Sequence, residues 1–236
     1  MTHDRPRQDL APNRTAFILD LDGTLVDSVY QHVLAWREAL VRFGVQLPTW
    51  RIHRNIGMSG GLMIDALLRE TGQALTADNA RRLKELHHHA YARFADQIEP
   101  LPGAKALLAY LSEVDAPWAI ATSGREENAA QTLDLLGVPG HVPIVYRDDV
   151  AHAKPDPDLF IAAARRLAVQ IEDAVVVGDS IWDLMAARRA KALGVGLLSG
   201  GYSQDELERA GAYRVYDDPA DLLQRIDEVG IRAAAS

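Results

Sequence analysis

The chain has 236 residues, of which 48% are hydrophobic, so it can bury a substantial core as one domain or as a core with an insertion. The formal net charge of -8 argues against a general nucleic-acid surface, which needs a basic stripe. The lack of cysteine excludes disulfides and thiolate metal sites, and it fits a reducing cytoplasm.

The first residues of the chain form a polar stretch that Pro6 and Pro12 interrupt. This stretch lacks the apolar core of a signal peptide, and no apolar run in the sequence is long enough to cross a membrane. We therefore expect a flexible tail over residues 1–14. We also expect a soluble cytoplasmic protein with neither a membrane nor a nucleic acid as partner.

Short apolar runs alternate with helical patterns along most of the chain. This alternation predicts an α/β fold, a doubly wound, Rossmann-like parallel sheet with helices on both faces. The predicted strands cover Ala16–Asp22, Trp118–Ser123, Pro143–Tyr146, Ala174–Gly178, Gly194–Leu198 and Tyr213–Tyr216. The predicted helices between them cover Ala104–Val114, Glu126–Leu136, Pro157–Ala168, Ile181–Ala190 and Gln204–Ala210.

One long stretch interrupts this alternation, because it shows helical patterns without a convincing strand. Its predicted helices cover Val29–Phe43, Leu62–Leu68 and Ala77–Phe94. We expect an all-helical cap over residues 30–97, inserted after the first strand and above its tip, and a catalytic core of residues 15–29 and 98–236. The glycine-rich loop 57–61 in the cap either faces the site or is a turn between helices.

Two carboxylates, Asp20 and Asp22, follow the first apolar run, and Gly23 comes directly after them. Because the strand ends here, both carboxylates can reach the site at its tip. Acids this close repel each other, and a divalent cation, a neighbouring lysine or a shared proton would relieve that repulsion. The spacing therefore suggests a metal-assisted reaction. Asp27 and Ser28 are expected to cap the next helix.

Four short motifs follow predicted strands, where parallel sheets bind their ligands. They are Asp-Leu-Asp-Gly-Thr (20–24), Ala-Thr-Ser-Gly (121–124), Lys-Pro-Asp-Pro (154–157) and Gly-Asp-Ser-Ile-Trp-Asp (178–183). Magnesium prefers hard oxygen ligands. A phosphoryl group needs a cation, hydroxyl or backbone donors and an in-line nucleophile. The carboxylates, hydroxyl and lysine of these motifs meet both needs.

The four motifs in this order, with a helical insertion after the first, resemble the haloacid dehalogenase-like superfamily. The resemblance is to its phosphoglycolate phosphatase and β-phosphoglucomutase-like subfamily with a small helical cap. One such motif alone would be common, whereas the ordered set is specific. The resemblance implies a Mg²⁺ cofactor and a phosphatase acting on a small phosphorylated metabolite, of the phosphoglycolate or sugar-phosphate type. Monomer and small homo-oligomer both stay open.

The resemblance also assigns catalytic roles. Asp20 matches the nucleophile that forms an aspartyl-phosphate, and Asp22 matches the general acid and base, whose backbone carbonyl also ligates the metal. Lys154 matches the cation that pairs with Asp20 and with the phosphoryl oxygens. Related dehalogenases and phosphonatases carry another residue at position 22. Asp22 therefore favours a phosphate ester, because an alkoxide leaving group needs a proton.

Binding roles follow from the same resemblance. Thr122 matches the phosphate-binding hydroxyl, and Ser123 and Gly124 continue the phosphate-binding loop. Asp179 matches the metal-binding acid, and Asp183 matches a weaker or water-mediated partner of the metal. Plainer alternatives stay open for two of them, since Ser123 can simply line the site and Asp183 can simply brace its loop.

Residues of the predicted cap that can contact a substrate are His32, Trp36, Arg54 and Gly57. For His32 and Trp36, one helical turn apart, packing in the core or hinge is an equal alternative. The three histidines at 87–89 are expected on a solvated or partly packed helix face. Consecutive helical residues point about 100° apart, so the three cannot converge on one ion.

Two other functions stay open at this point. One is a mutase resembling β-phosphoglucomutase, in which a histidine and a tryptophan stand at the offsets of His32 and Trp36. That family also has a cap-loop arginine for the distal phosphate, whereas a gapless match puts Gly60 there, so hydrolysis is favoured. The other is a non-catalytic binding protein, which the presence of Asp20 and Lys154 disfavours.

Overall fold

The computed structural model of the protein describes residues 15–58, 60–69 and 76–230. The predicted tail over residues 1–14 lies outside the described residues, as does Ser59 of the glycine-rich loop. Within the described ranges, no helix combines the length and the apolar character that a membrane crossing needs.

The strands form one parallel sheet and one short antiparallel pair. In chain order they are β1 (Ala16–Leu19), β2 (Val26–Asp27), β3 (Glu99–Pro100), β4 (Trp118–Ala121), β5 (Ile144–Val145), β6 (Ala174–Gly178), β7 (Leu193–Leu197) and β8 (Ala212–Tyr216). The sheet has the order β5-β4-β1-β6-β7-β8, and all its neighbours are parallel. The predicted doubly wound α/β sheet is therefore confirmed. Chain order runs outward in opposite directions on either side of β1, so the crevice for a ligand lies at the carboxyl ends of the central strands.

Most helices have bounds close to those that the sequence patterns predict. In chain order they are α1 (Val29–Phe43), α2 (Thr49–His53), α3 (Gly60–Arg69), α4 (Ala77–Tyr91), α5 (Ala104–Glu113), α6 (Glu126–Leu136), α7 (Asp158–Arg166), α8 (Ile181–Ala190), α9 (Gln204–Ala210) and α10 (Pro219–Gln224). The patterns do not predict α2, α10, β2 or β3. These elements have only two to six residues each, which is too short to show a hydrophobic period.

The central strand β1 is buried on both faces, because its side chains alternate between two apolar clusters. Phe17 and Leu19 belong to the cluster that includes Leu133 of α6. Ile18 belongs to the cluster on the other face, which includes Phe160 of α7. Packing from both sides fixes the tip of β1 and the acids that follow it.

Helices α1 to α4 lie between β2 and β3 and build an apolar cluster of their own. Its members include Val33, Leu40, Ile52, Leu67 and Leu83. The chain enters and leaves this part through the antiparallel pair β2–β3. We call residues 29–97 the helical segment. The division of the chain into a core and a cap stays a prediction.

Gly178, the last residue of β6, leaves the space that Asp183 occupies. A Cβ added at Gly178 would lie 2.3 Å from Cβ of Asp183. We expect Gly178→Ala to lower the free energy of unfolding by about 1–3 kcal/mol, the usual cost of overpacking, as measured by urea denaturation. Gly140→Ala is the matched control, because a Cβ added there meets no heavy atom within 4 Å. Equal stability of the two variants would contradict this account.

Candidate active site

The first acidic motif leaves β1 through a tight turn. The strand stops before the acids rather than at Asp22 as predicted. The carbonyl of Leu21 instead accepts a hydrogen bond from the N–H of Thr24 at 3.3 Å. Gly23 has a φ of +79°, and a Cβ there would lie 2.5 Å from Oδ2 of Asp179. Only glycine fits this conformation at so close an approach, so the turn brings its backbone directly against Asp179.

Lys154 is fully buried and forms ion pairs with two carboxylates. Its Nζ lies 2.5 Å from Oδ1 of Asp20 and 2.7 Å from Oδ1 of Asp183. Burial by itself would lower the pKa of Lys154, but Asp183 and Asp20 outweigh burial and raise the pKa. The lysine is therefore a cation at neutral pH, and the structure brings it to the predicted nucleophile.

Three buried carboxylates, those of Asp20, Asp179 and Asp183, each offer an oxygen within 4.8 Å of the other two. Burial raises the pKa of Asp20 to about 7, with Lys154 opposing the shift and Asp183 adding to it. Burial, followed by the charges of Asp183 and Asp20, also raises the pKa of Asp179 well above its ordinary value. One lysine does not balance three acids. The hard oxygens and the excess negative charge therefore fit a divalent cation such as Mg²⁺.

Two hydroxyl groups orient the acids of this cluster. The Thr24 hydroxyl donates to Oδ1 of Asp179 at 3.0 Å. The N–H and the hydroxyl of Ser180 donate to Oδ2 of Asp183 at 3.1 and 2.5 Å. Asp183 thus braces the start of α8 and pairs with the buried lysine at the same time. Sequence reasoning missed Thr24, although its place within the first motif was an available signal.

Residues at the start of α1 hold the side chain of Asp22. Its Oδ1 accepts a hydrogen bond from the Ser28 hydroxyl at 2.7 Å and lies 3.3 Å from Nε2 of His32. Burial alone would raise the pKa of Asp22, but His32 and Ser28 outweigh burial and lower the pKa.

The predicted capping role of Ser28 is wrong. Ser28 stands at the N-cap of α1 without a capping bond, because its hydroxyl serves Asp22. Asp27 lies in β2.

The loop after β4 presents donors beside the acids. The N–H of Gly124 donates to Oγ1 of Thr122 at 2.9 Å, which leaves the hydroxyl proton of Thr122 available to a ligand. The Ser123 hydroxyl donates to the carbonyl of Gly57 at 3.2 Å and joins the loop to the helical segment. A Cβ on Gly124 would lie 3.1 Å from Oγ1 of Thr122 and 3.9 Å from Oδ2 of Asp22, so the two side chains face the same loop.

A cavity of about 970 Å³ extends from the acids to the helical segment. Three of the residues predicted to contact substrate line it, namely His32, Trp36 and Gly57. His32 and Trp36 also pack in the interior of the helical segment, where both rings stack on His87. Of the three histidines at 87–89, only the first is buried, as expected for a partly packed helix face.

The structure does not bring Arg54 to the cavity, where the sequence suggested a substrate contact. Its guanidinium donates to Oε1 of Glu206 at 2.5 Å and lies 4.2 Å from the centre of the Tyr202 ring. The carbonyl of Arg54 accepts hydrogen bonds from the indole of Trp182 and from the Tyr202 hydroxyl. Arg54 therefore connects the end of α2 to α8 and to the start of α9.

Basic side chains line the cavity in addition to the acids. They are Arg81, Lys84, Arg125 and Arg147. Burial, followed by the charges of Arg125 and Arg147, lowers the pKa of Lys84, so these three cations share one neighbourhood. Sequence reasoning missed Arg81, Lys84 and Arg147, because they lie on separate parts of the chain that only the tertiary structure brings to one cavity.

Comparison with known proteins agrees with this geometry. A family model described as haloacid dehalogenase-like hydrolase matches residues 15–191. Hexitol phosphatase A from Escherichia coli is 34% identical over 166 residues, which cover 70% of this chain and 74% of that protein. A phosphoglycolate phosphatase from Rhodospirillum rubrum is 32% identical over 215 residues, which cover 88% of each protein. The crystal structure of a hydrolase from Pseudomonas syringae is 55% identical, with a TM-score of 0.90 over 92% of this chain and 100% of that one. The predicted enzyme family is thereby confirmed, and the chain belongs to the haloacid dehalogenase-like hydrolases.

Proposed function

We propose that the protein is a magnesium-dependent phosphatase that hydrolyses a small phosphate monoester. The observation that carries this proposal is the setting of Asp20, which lines the cavity, pairs with the buried Lys154 and stands beside two further carboxylates. A carboxylate whose charge is balanced in this way can attack phosphorus. The phosphatase names of two relatives support the same reaction.

The residues that would hold the metal are Asp20, Asp179 and the backbone carbonyl of Asp22, with Asp183 as a weaker partner. The raised pKa values of Asp20 and Asp179, caused first by burial and then by neighbouring acids, support this assignment, because a bound cation would stabilise both carboxylates in their charged form. When bound, magnesium would neutralise charge on the phosphoryl oxygens.

In the first step, an oxygen of Asp20 attacks phosphorus and the bond from phosphorus to the leaving oxygen breaks. Asp22 donates its proton to that oxygen, which departs as an alcohol. Lys154 holds the attacking carboxylate in place, and the Thr122 hydroxyl donates to a phosphoryl oxygen. The product of this step is an aspartyl-phosphate on Asp20.

In the second step, the carboxylate of Asp22 takes a proton from a water molecule whose oxygen attacks the aspartyl-phosphate. The bond between phosphorus and the Asp20 oxygen breaks, and inorganic phosphate leaves. Asp22 is again protonated and Asp20 is again a free carboxylate.

The substrate would be a phosphorylated metabolite of the phosphoglycolate or sugar-phosphate type. A cavity of about 970 Å³ has room for a small organic phosphate. Lys84, Arg125 and Arg147 line the same cavity, and they would favour a leaving group that carries an acid. This positive charge supports phosphoglycolate over a sugar phosphate, whose leaving group is uncharged.

A β-phosphoglucomutase-like reaction is the second candidate, and one observation favours it. The resemblance expects an arginine where this chain has Gly60, but Cε of Lys84 lies 3.9 Å from the position of a Cβ at Gly60. The Lys84 side chain of α4 thus lies near the position that the side chain of that arginine would occupy. A second phosphate group would find a partner there.

The roles of the first two acids can be separated with phosphate-release assays. We expect Asp20→Asn to abolish turnover, because no oxygen nucleophile remains at that position. We expect Asp22→Asn to release p-nitrophenolate from p-nitrophenyl phosphate once and then stall, because nothing activates water. Mass spectrometry would show a phosphate group on Asp20 in this variant.

The control in these assays is the wild-type enzyme with and without Mg²⁺, tested on alkyl phosphates that include phosphoglycolate and sugar phosphates. Equal activity of either variant and the wild type would contradict the assignment. Formation of a sugar-phosphate isomer without phosphate release, in the presence of a bisphosphate activator, would establish the mutase instead.

The raised pKa of Asp20 has a consequence for stability without metal. Between pH 5 and 7 the folded protein keeps a proton on Asp20 that the unfolded chain has released, so stability falls as pH rises. A shift from 3.8 to about 7 makes this loss on the order of 2 kcal/mol. Urea denaturation in EDTA should show a smaller loss in Asp20→Asn than in wild type, because Asp179, whose pKa burial also raises, titrates in both proteins.

The difference between wild type and Asp20→Asn in how stability changes with pH reports on the proton of Asp20. His87, whose pKa burial lowers, makes stability rise with pH over part of the same range, but it does so in both proteins. Saturating Mg²⁺ should restore wild-type stability at pH 7 and should have less effect on Asp20→Asn. Identical pH slopes in EDTA would contradict the assigned charge state.

Lys84 offers a test of the leaving-group class. We expect Lys84→Met to lower kcat/KM for phosphoglycolate by roughly tenfold to a hundredfold, since a hydrogen bond to a charged group is lost. The effect on p-nitrophenyl phosphate should be small, because its leaving group carries no carboxylate. Lys105→Met, at an exposed position of α5, is the control. Equal losses on both substrates would contradict a contact with the leaving group.

A further inference from the structure

His87 contacts the proposed acid–base residue through one intermediate side chain. It lies on α4, is buried, and places its Nε2 3.2 Å from Nδ1 of His32. The other ring nitrogen of His32, Nε2, lies 3.3 Å from Oδ1 of Asp22. The three side chains therefore form a continuous chain of polar contacts from the interior of the helical segment to the active site.

Stacked aromatic rings fix this chain of contacts in place. The His87 ring stacks on Trp36 with centroids 4.1 Å apart. The His32 ring stacks on Tyr91 with centroids 3.9 Å apart. The stacks hold the planes of both imidazoles, and the polar contacts at their nitrogen atoms select the orientation of each ring within its plane.

The hydrogen-bonding capacity of each group decides where the proton on His32 sits. The carboxylate of Asp22 can only accept hydrogen bonds, so His32 must carry a proton on Nε2 to bond with it. His87 completes the arrangement at Nδ1 of His32, as donor to a neutral ring or as acceptor from a charged one. In both cases the partner at one ring nitrogen of His32 determines whether the other ring nitrogen donates or accepts a hydrogen bond.

We infer that His87 is a positioning residue for the proposed reaction, because it holds His32 in the orientation that anchors Oδ1 of Asp22. The Ser28 hydroxyl binds the same oxygen. Oδ2 is left to face the loop of Thr122, since it lies 3.9 Å from the position of a Cβ on Gly124. His87 thereby presents one carboxyl oxygen of Asp22 for proton transfer and ties that geometry to the packing of α4 on α1.

The inference rests on the proposed phosphatase activity, and it predicts an effect that depends on the leaving group. His87→Phe keeps a ring for stacking but removes both nitrogens. On the alkyl phosphate that the wild type hydrolyses best, we expect kcat/KM to fall about tenfold to a hundredfold. This is the range seen when a residue that orients a functional side chain is removed. On p-nitrophenyl phosphate kcat/KM should change little, because p-nitrophenolate leaves without a proton.

Two further variants separate positioning from folding. His87→Gln keeps an amide near the position of Nε2 and should recover part of the loss on the alkyl substrate. His141→Phe changes an exposed histidine outside the helical segment and should leave kcat/KM for both substrates unchanged. Equal losses on the two substrates in His87→Phe, or no loss on either, would overturn the inference.

A measurement without turnover tests the contact directly. In ¹⁵N-histidine NMR spectra, wild-type His32 should carry a proton on Nε2. In His87→Phe the resonances of both ring nitrogens of His32 should shift, because Nδ1 loses its partner and the contact of Nε2 with Asp22 weakens. Wild-type His32 protonated on Nδ1 alone would overturn the inference. A wild-type enzyme that hydrolyses neither substrate would instead reject the proposed function, and the spectra would still report on the contact.

Discussion

The buried ion pairs of Lys154 are the interaction on which the rest of the site depends. One lysine, with none of its side chain exposed, contacts Asp20 and Asp183 and stands near a third acid, Asp179. A buried cation and a surplus of buried carboxylates are costly unless they compensate one another. Because compensation within the described residues is incomplete, the cluster of carboxylates could hold a further cation. The proposed nucleophile, Asp20, depends on these neighbours because they set the charge and position of its carboxylate.

Close backbone packing makes this concentration of charge possible. The turn at Gly23 and the end of β6 at Gly178 both approach side chains of the acidic cluster within distances that exclude a Cβ. Helix α8 begins beside them, and Ser180 binds Asp183 there. The acids are thus oriented by short, rigid elements at the carboxyl ends of buried strands, where a fixed geometry favours catalysis.

The helical segment contributes the other half of the site. Its residue His32 contacts Asp22 and is itself contacted by the buried His87, and its basic residue Lys84 joins Arg125 and Arg147 at the cavity. In the proposed reaction, acid–base chemistry and the choice of leaving group would therefore both depend on how this segment is placed against the rest of the chain. Arg54, fastened to Glu206 and Tyr202, helps to set that placement.

The sequence by itself determined the parallel sheet, most helix bounds and the identity of the acids and the lysine. Those features depend on local hydrophobic period and on motifs at strand ends. It did not determine what Ser28, Arg54, Lys84 or His87 contact. Ser28 has the sequence context of a helix cap but hydrogen-bonds to Asp22, and Arg54 is diverted to Glu206. Only tertiary structure decided these contacts, because they join residues from separate elements whose relative placement no local pattern encodes.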